Sequence, residues 1–198
     1  MISIETLMQM LYLADDETLV RLSRKNCHVK GLHSIVLSDN DGRLVRFYIT
    51  SHEHTLFQNS HDGLFDLSLG VHSHKYDLVL TAVKGFDHAS NLVYIEDPSG
   101  TDVKKYDYSV EQGAVYIGVS SLCMVSHKKI DIETMDSDTL RTVHVPEGMV
   151  ACWLVEDGIE TGSRHAELFS NSEIKFVKHQ TFKSAEDVRE FVEDLVYG

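Results

Sequence analysis

The feature that most restricts the fold of this chain is a series of short strand-type runs separated by turn-forming clusters. From residue 32 onward, apolar and β-branched runs alternate with groups of Gly, Asn, Asp, Ser and Pro. Residues 32–38 and 43–51 flank Asp39-Asn40-Asp41-Gly42, a pattern typical of a β-hairpin. Further runs are centred near 76–84, 91–95, 103–109, 114–126, 141–157, 166–171 and 173–182, with turns at 97–100 and 146–148.

Helical patterns occur only at the two ends of the chain. Residues 3 to about 25 carry apolar side chains at helical spacing, with a break and restart at residues 15–17. A final helix is predicted at about 185–196, where Ser184 and Asp187 form a capping box. The pattern predicts a mainly β barrel or sandwich in a single domain, residues 1–198. It has a helical flank at 1–28, a barrel at 30–180 and a C-terminal helix at 184–197.

The stretch from Gly70 to Gly85 holds the most specific chemical signal. We predict one strand through it, and alternate residues of a strand face the same way. His72 and His74 would then share a face and could bind one metal ion, and Tyr76 has the same parity. The second pair of this kind, His52 and His54, lies in a polar stretch and is interpreted as loop or rim.

These residues resemble a known family. The pattern Gly-x-His72-x-His74, with an acidic residue shortly after and a glycine ending the strand, resembles the first motif of the cupins, and Pro146-x-Gly148 resembles the core of their second motif. The resemblance covers roughly residues 30–180. It implies a double-stranded β-helix barrel with flanking helices, whose interior holds a divalent ion such as Fe, Mn, Ni or Zn.

The chain departs from both cupin motifs. Leu78 and Val79 stand where the family has its glutamate, and Ala151 stands where it has its third histidine. We therefore predict His144 as the third metal ligand, because it precedes the turn at 146–148 by two residues. Asp77 is the candidate fourth ligand and would complete a set suited to Fe(II) or Mn(II). Its parity is opposite to that of His74, so a bulge would have to turn it inward.

Composition excludes several functional classes. The net charge of −13 argues against a protein that coats nucleic acid, because such proteins cluster Lys and Arg. Three widely spaced cysteines without a CxxC pair argue against a disulfide framework and favour the cytoplasm. The first residues lack the basic start of a signal peptide, and no apolar run is long enough to span a membrane.

Two functional hypotheses follow. The first is a metal-dependent enzyme, an oxygenase or an isomerase or lyase, acting on a small polar molecule. The second is a barrel that has lost catalysis and binds or sequesters a small ligand such as a nucleotide or sugar. Arg46, Tyr48 and Tyr76 are the predicted ligand-binding residues, with Arg43 a further candidate. A homodimer is a third expectation, because exposed strand edges can mediate assembly.

Overall fold

The computed structural model describes residues 1–27, 30–53, 71–109, 113–160, 166–170 and 179–198. The helices are α1 (Ile4–Leu13), α2 (Asp16–Leu22) and α3 (Ala185–Tyr197). The strands are β1 (Arg24–Lys25), β2 (Leu32–Asn40), β3 (Arg43–Thr50), β4 (Val71–His72), β5 (Tyr76–Ala82), β6 (Ser90–Ser109), β7 (Gly113–Lys129), β8 (Ile132–Met135), β9 (Leu140–His144), β10 (Cys152–Glu160), β11 (Ala166–Ser170) and β12 (Gln180–Thr181).

The strands from β3 to β10 are paired in a nested order. Strand β6 pairs with β7, β5 with β8, β4 with β9, and β3 with β10, all antiparallel. This is the pairing of one long hairpin, and the hairpin is wound so that its successive strands alternate between two sheets. The winding creates two further contacts, β5 with β10 and β6 with β9. The result is a double-stranded β-helix, so the predicted mainly β barrel with terminal helices is confirmed.

The two sheets differ in size and in what covers them. The larger sheet has the order β12-β1-β2-β3-β10-β5-β8, and the smaller sheet has the order β11-β4-β9-β6-β7. Between them lies an apolar cluster that includes Leu80, Val143, Trp153 and Val155. Alternation along each strand directs one set of side chains into this space, the barrel interior, and the other set away from it.

The outer face of the smaller sheet has its own core. Strand β6 changes register between Glu96 and Thr101, and its distal half pairs with β11, which also pairs with β4. These pairings close the smaller sheet on itself. The enclosed space holds Val71, Leu92, Tyr94, Val103, Leu122, Leu140 and Phe169. The turn predicted at 97–100 is thus a bend within one strand, where Ser99 N donates to Asp97 Oδ1.

The helices cover the outer face of the larger sheet. Side chains of α1, α2 and α3 pack on residues of this outer face such as Phe47, Ile49 and Leu154. Ser3, Asp15 and Ser184 cap the helices by accepting backbone N–H bonds, which confirms the break at 15–17. Of the predicted capping box, Ser184 Oγ accepts from Asp187 N, whereas the Asp187 carboxylate accepts from Lys183 N in place of Ser184 N. No helix among the described residues is long and apolar enough to cross a bilayer.

The predicted continuous strand from Gly70 to Gly85 is wrong. Strand β4 ends at His72, and β5 begins at Tyr76 in the other sheet. Residues 73–75 make the crossing, and both ends of it are fixed by hydrogen bonds. Ser73 N donates to Glu167 O at 3.0 Å, and Asp77 Oδ1 accepts from Ser137 N at 2.8 Å. The hairpin at residues 39–42 is as predicted, with Asp41 and Gly42 both at positive φ.

Strand β7 forms an edge of the smaller sheet as far as the described residues show. Several of its apolar side chains are exposed, among them Val119 at 65% and Val125 at 55%. An edge of this kind suits pairing with another chain. The homodimer stays a prediction.

The last strand predicted, at 173–182, lies mostly outside the described residues; only β12 at its end is described.

Candidate functional site

The interior face of the smaller sheet carries two histidines and an arginine. His72 in β4 lies directly opposite Arg141 in β9, so their side chains share a face. His74 follows in the crossing segment, and its ring centroid lies 4.8 Å from that of His72. Arg141 Nε donates to His74 Nε2 at 3.2 Å. The structure therefore brings the predicted pair together, and it adds an arginine to it.

Arg141 is buried, and no acidic side chain of the described residues is bonded to it. The residue is 4% exposed, and besides His74 its hydrogen-bond partner is Met135 Sδ, which accepts from Nη1 at 3.4 Å. No carboxylate of the described residues forms an ion pair with it. Burial lowers the pKa of Arg141 to about 10, because the charged form loses solvation there. A cation at this position is costly unless something compensates its charge.

The interior face of the larger sheet carries a second arginine, and this one is paired. Arg46 in β3 donates from Nη2 to Asp157 Oδ1 in β10 at 2.7 Å, with the side chains 19% and 2% exposed. Burial raises the pKa of Asp157, and Arg46 opposes that rise. Burial also acts to lower the pKa of Arg46, but Tyr48 and Asp157 outweigh it and leave the pKa raised.

Aromatic side chains line the same interior. Tyr48 stacks on Trp153 with ring centroids 5.7 Å apart, and the Arg46 guanidinium lies 5.8 Å from the Tyr48 ring centroid. Tyr76 packs on the same apolar cluster. Burial raises the pKa of Tyr48, so its hydroxyl stays protonated and can donate a hydrogen bond. The predicted ligand-binding residues Arg46, Tyr48 and Tyr76 therefore all face the interior, whereas Arg43 is exposed beside the hairpin turn.

The other two predicted metal ligands lie elsewhere. Asp77 uses its carboxylate on the backbone N–H of Ser137, where it fixes the crossing between the sheets. His144 is three residues from Arg141 on β9, so it lies on the opposite face of the smaller sheet. Its ring centroid is 6.4 Å from that of His127. Neither residue joins His72 and His74.

The described residues do not fit a divalent ion. Among them, no three His, Cys, Asp or Glu side chains lie together in a set that could hold one. His74 Nε2 is engaged by Arg141, whose positive charge beside the ring opposes a second cation. His54 of the second histidine pair lies outside the described residues, whereas His52 Nδ1 is 3.1 Å from the Gly148 carbonyl oxygen.

Arg141 and Asp157 were not identified from the sequence. Each is a charged residue whose side chain faces the barrel interior from a strand whose other interior positions are apolar. The neighbouring interior positions are Val143 and Val155. That pattern is the signal that could have identified them. Asn91, whose Nδ2 donates to Glu133 Oε2 at 3.0 Å between the sheets, is a further interior polar residue of this kind.

Comparisons with known proteins give little beyond this geometry. No protein-family model matches the sequence, and a search of curated proteins finds no significant match. Among solved structures, the chain is similar to the crystal structure of a cupin-like protein from Thermotoga maritima. The identity is 10%, the match covers 71% of this chain and 77% of that chain, and the TM-score is 0.35. Such a likeness carries no argument, so the fold assignment rests on the strand pairings.

Proposed function

We propose that this protein binds a small polar molecule inside its β-barrel. The observation that carries the proposal is a group of polar and aromatic side chains that face the interior yet remain half-buried, and not fully buried. This group comprises Arg46, Tyr48, His72, His74 and Tyr76.

The partial exposure of these side chains supports the proposal. A small barrel that serves only as a scaffold fills its interior with side chains, as the apolar cluster around Leu80 and Val155 does here. At the polar end of the interior, inward-facing side chains keep partial exposure to solvent, as expected where a pocket opens between the sheets. Sites for small molecules combine apolar and aromatic walls with a few placed polar groups, and this end offers both.

The single tryptophan provides the measurement. Trp153 stacks on Tyr48 in the interior, so its fluorescence should change when a molecule occupies that space. We would titrate the full chain with fractions of a metabolite extract and identify bound compounds by native mass spectrometry. The proposal expects at least one compound that changes Trp153 emission and raises the melting temperature.

A matched pair of variants locates the binding. His72→Trp fills the interior, whereas His127→Trp places the same side chain at an exposed position of β7. Binding should be lost in the first variant and kept in the second, with mass spectrometry used where the added tryptophan obscures emission. Binding that survives His72→Trp, or an extract from which no compound binds, would overturn the proposal.

A further inference from the structure

The charges of the barrel interior indicate what kind of molecule it binds. Two guanidinium groups face this space, one from each sheet, and one interior carboxylate is paired with the first of them, the Asp157 partner of Arg46. Burial lowers the pKa of Arg141, and the charge of Arg46 acts in the same direction. Asp157 neutralises Arg46, and Glu133 acts on Arg141 only through space, so Arg141 is the interior cation without a directly bonded carboxylate among the described residues.

Arg141 makes its hydrogen bonds to weak or uncharged acceptors. Its guanidinium has five N–H donors, and the structure uses Nε on an imidazole nitrogen and Nη1 on a thioether sulfur. Both acceptors are uncharged, and sulfur is a weak one. Its remaining donors have no hydrogen-bond partner among the described residues. A planar guanidinium with free donors is suited to two parallel hydrogen bonds to a carboxylate or phosphate.

The Glu133 carboxylate does not serve as a bonded anionic partner for Arg141. Glu133 favours the charge of Arg141 electrostatically, but its carboxylate accepts from Asn91 Nδ2 and forms no ion pair with Arg141 within the described residues. On the Arg46 side, Nε is buried and also lacks a partner there. The interior thus keeps donors that the described acceptors do not use, beside one buried acceptor without a partner among the described residues, Asn91 Oδ1.

We infer that the ligand of this barrel is a small organic anion whose carboxylate or phosphate group binds the guanidinium of Arg141. The inference rests on the proposed function and specifies the ligand class of the same site. The aromatic wall of Tyr48 and Trp153 contacts the body of the molecule, and the Tyr48 hydroxyl donates a further hydrogen bond. His74 accepts from Arg141 and so positions the guanidinium toward the interior.

The test uses two anionic probes, benzoate and phenyl phosphate, and two neutral analogues, benzamide and benzyl alcohol. Trp153 emission and isothermal titration calorimetry on the full chain give the affinities. We expect the anions to bind roughly tenfold or more tightly than the neutral compounds, because a hydrogen bond to a charged group is stronger. Tighter binding of benzoate or of phenyl phosphate then identifies which anionic group the site prefers.

Variants of the arginine decide whether Arg141 is the anchor. Arg141→Met should abolish the preference for anions, and Arg141→Lys should weaken it roughly tenfold, because lysine keeps the charge and loses the planar pair of donors. The lysine variant also keeps the test decisive if the methionine variant fails to fold. Arg21→Met, which removes a half-exposed arginine from the outer surface, is the control for net charge and should bind like the wild type.

The outcomes separate the ligand class from the proposed function. Equal affinity for benzoate and benzamide, unchanged in the Arg141 variants, would refute the inference that the ligand is an anion. The barrel would then be one that binds neutral molecules. If none of the four probes binds at millimolar concentration, the inference of an anionic ligand is also refuted. The proposed function itself falls if the extract experiment finds no bound compound or if binding survives His72→Trp.

Discussion

Replacing Asp157 with asparagine would leave the buried guanidinium of Arg46 without its counter-ion and nearly unchanged in shape. Removing one partner of a buried ion pair costs roughly 3–5 kcal/mol, because the remaining charge stays desolvated. Arg46 is 19% exposed and keeps its contact with the Tyr48 ring, so the lower end applies. We expect the free energy of unfolding to fall by about 3 kcal/mol. Urea denaturation should show this as a midpoint lowered by roughly 1–1.5 M.

The reciprocal change has a different pH dependence. In Arg46→Met the unpaired group is Asp157, whose pKa burial already raises above 3.8. Its folded pKa rises further, so the loss of stability is present at neutral pH and disappears as the pH falls toward the unfolded value. We expect the loss to be smaller at pH 5 than at pH 7.5. The loss in Asp157→Asn should be no smaller at pH 5 than at pH 7.5, because the raised pKa of Asp157 costs the wild type stability at neutral pH and this cost fades on acidification.

Two controls make this prediction refutable. The double variant Arg46→Met/Asp157→Leu should be close to wild-type stability, since a buried ion pair can be replaced by apolar side chains. Asp39→Asn removes the partner of half-exposed Arg21 and should cost less than about 1 kcal/mol. A loss below about 1 kcal/mol in Asp157→Asn as well would refute the buried pair.

Three further predictions concern other parts of the chain. Burial lowers the pKa of His33 from 6.5 to about 4, so the unfolded chain takes up a proton that the fold does not, and stability should fall by about 3 kcal/mol between pH 6.5 and 4. Urea titrations of His33→Gln should lack this loss, and an unchanged pH profile would contradict it. In Gly100→Ala a Cβ would lie 2.4 Å from the Leu122 backbone, so the melting temperature should drop, and an unchanged value would show that the bend can relax. Elemental mass spectrometry on tag-free protein should find substoichiometric Fe, Mn, Ni and Zn, since the described residues place no third ligand beside the two adjacent imidazoles and two such ligands bind these ions weakly. Stoichiometric metal that disappears in His72→Ala/His74→Ala would instead support the metal site predicted from the sequence.

The sequence predicted the local elements of this fold well. Hairpin geometry at residues 39–42, the helix caps and the turn at 146–148 depend on residues close together in the chain, and each lies where the pattern indicates. The pairing of β3 with β10 could not be predicted in this way. Residues 43–50 and 152–160 are both apolar strands, and nothing in either run specifies the other as its partner.

The candidate site was predicted only in part for the same reason. The pattern around His72 and His74 identified one wall of the interior, and the two rings are adjacent even though the strand between them is broken. Arg141 lies far away in sequence and becomes their neighbour through the pairing of β4 with β9. The break at 73–75 depends on which strands lie on either side, so periodicity alone could not reveal it.

The nested pairing also governs the order in which the barrel can be completed during synthesis. Strand β10 lies between β3 and β5 in the larger sheet, yet it is the last of the wound strands to leave the ribosome. Until residues 152–160 are translated, the two earlier strands each present an unpaired edge to nascent neighbours. The same segment carries Asp157, so Arg46 has no counter-ion during that interval. Residues 152–160 therefore close the larger sheet and supply the counter-ion of Arg46 in a single event. A chain whose synthesis ends before residue 152 would lack both the pairing of β10 and the carboxylate of Asp157.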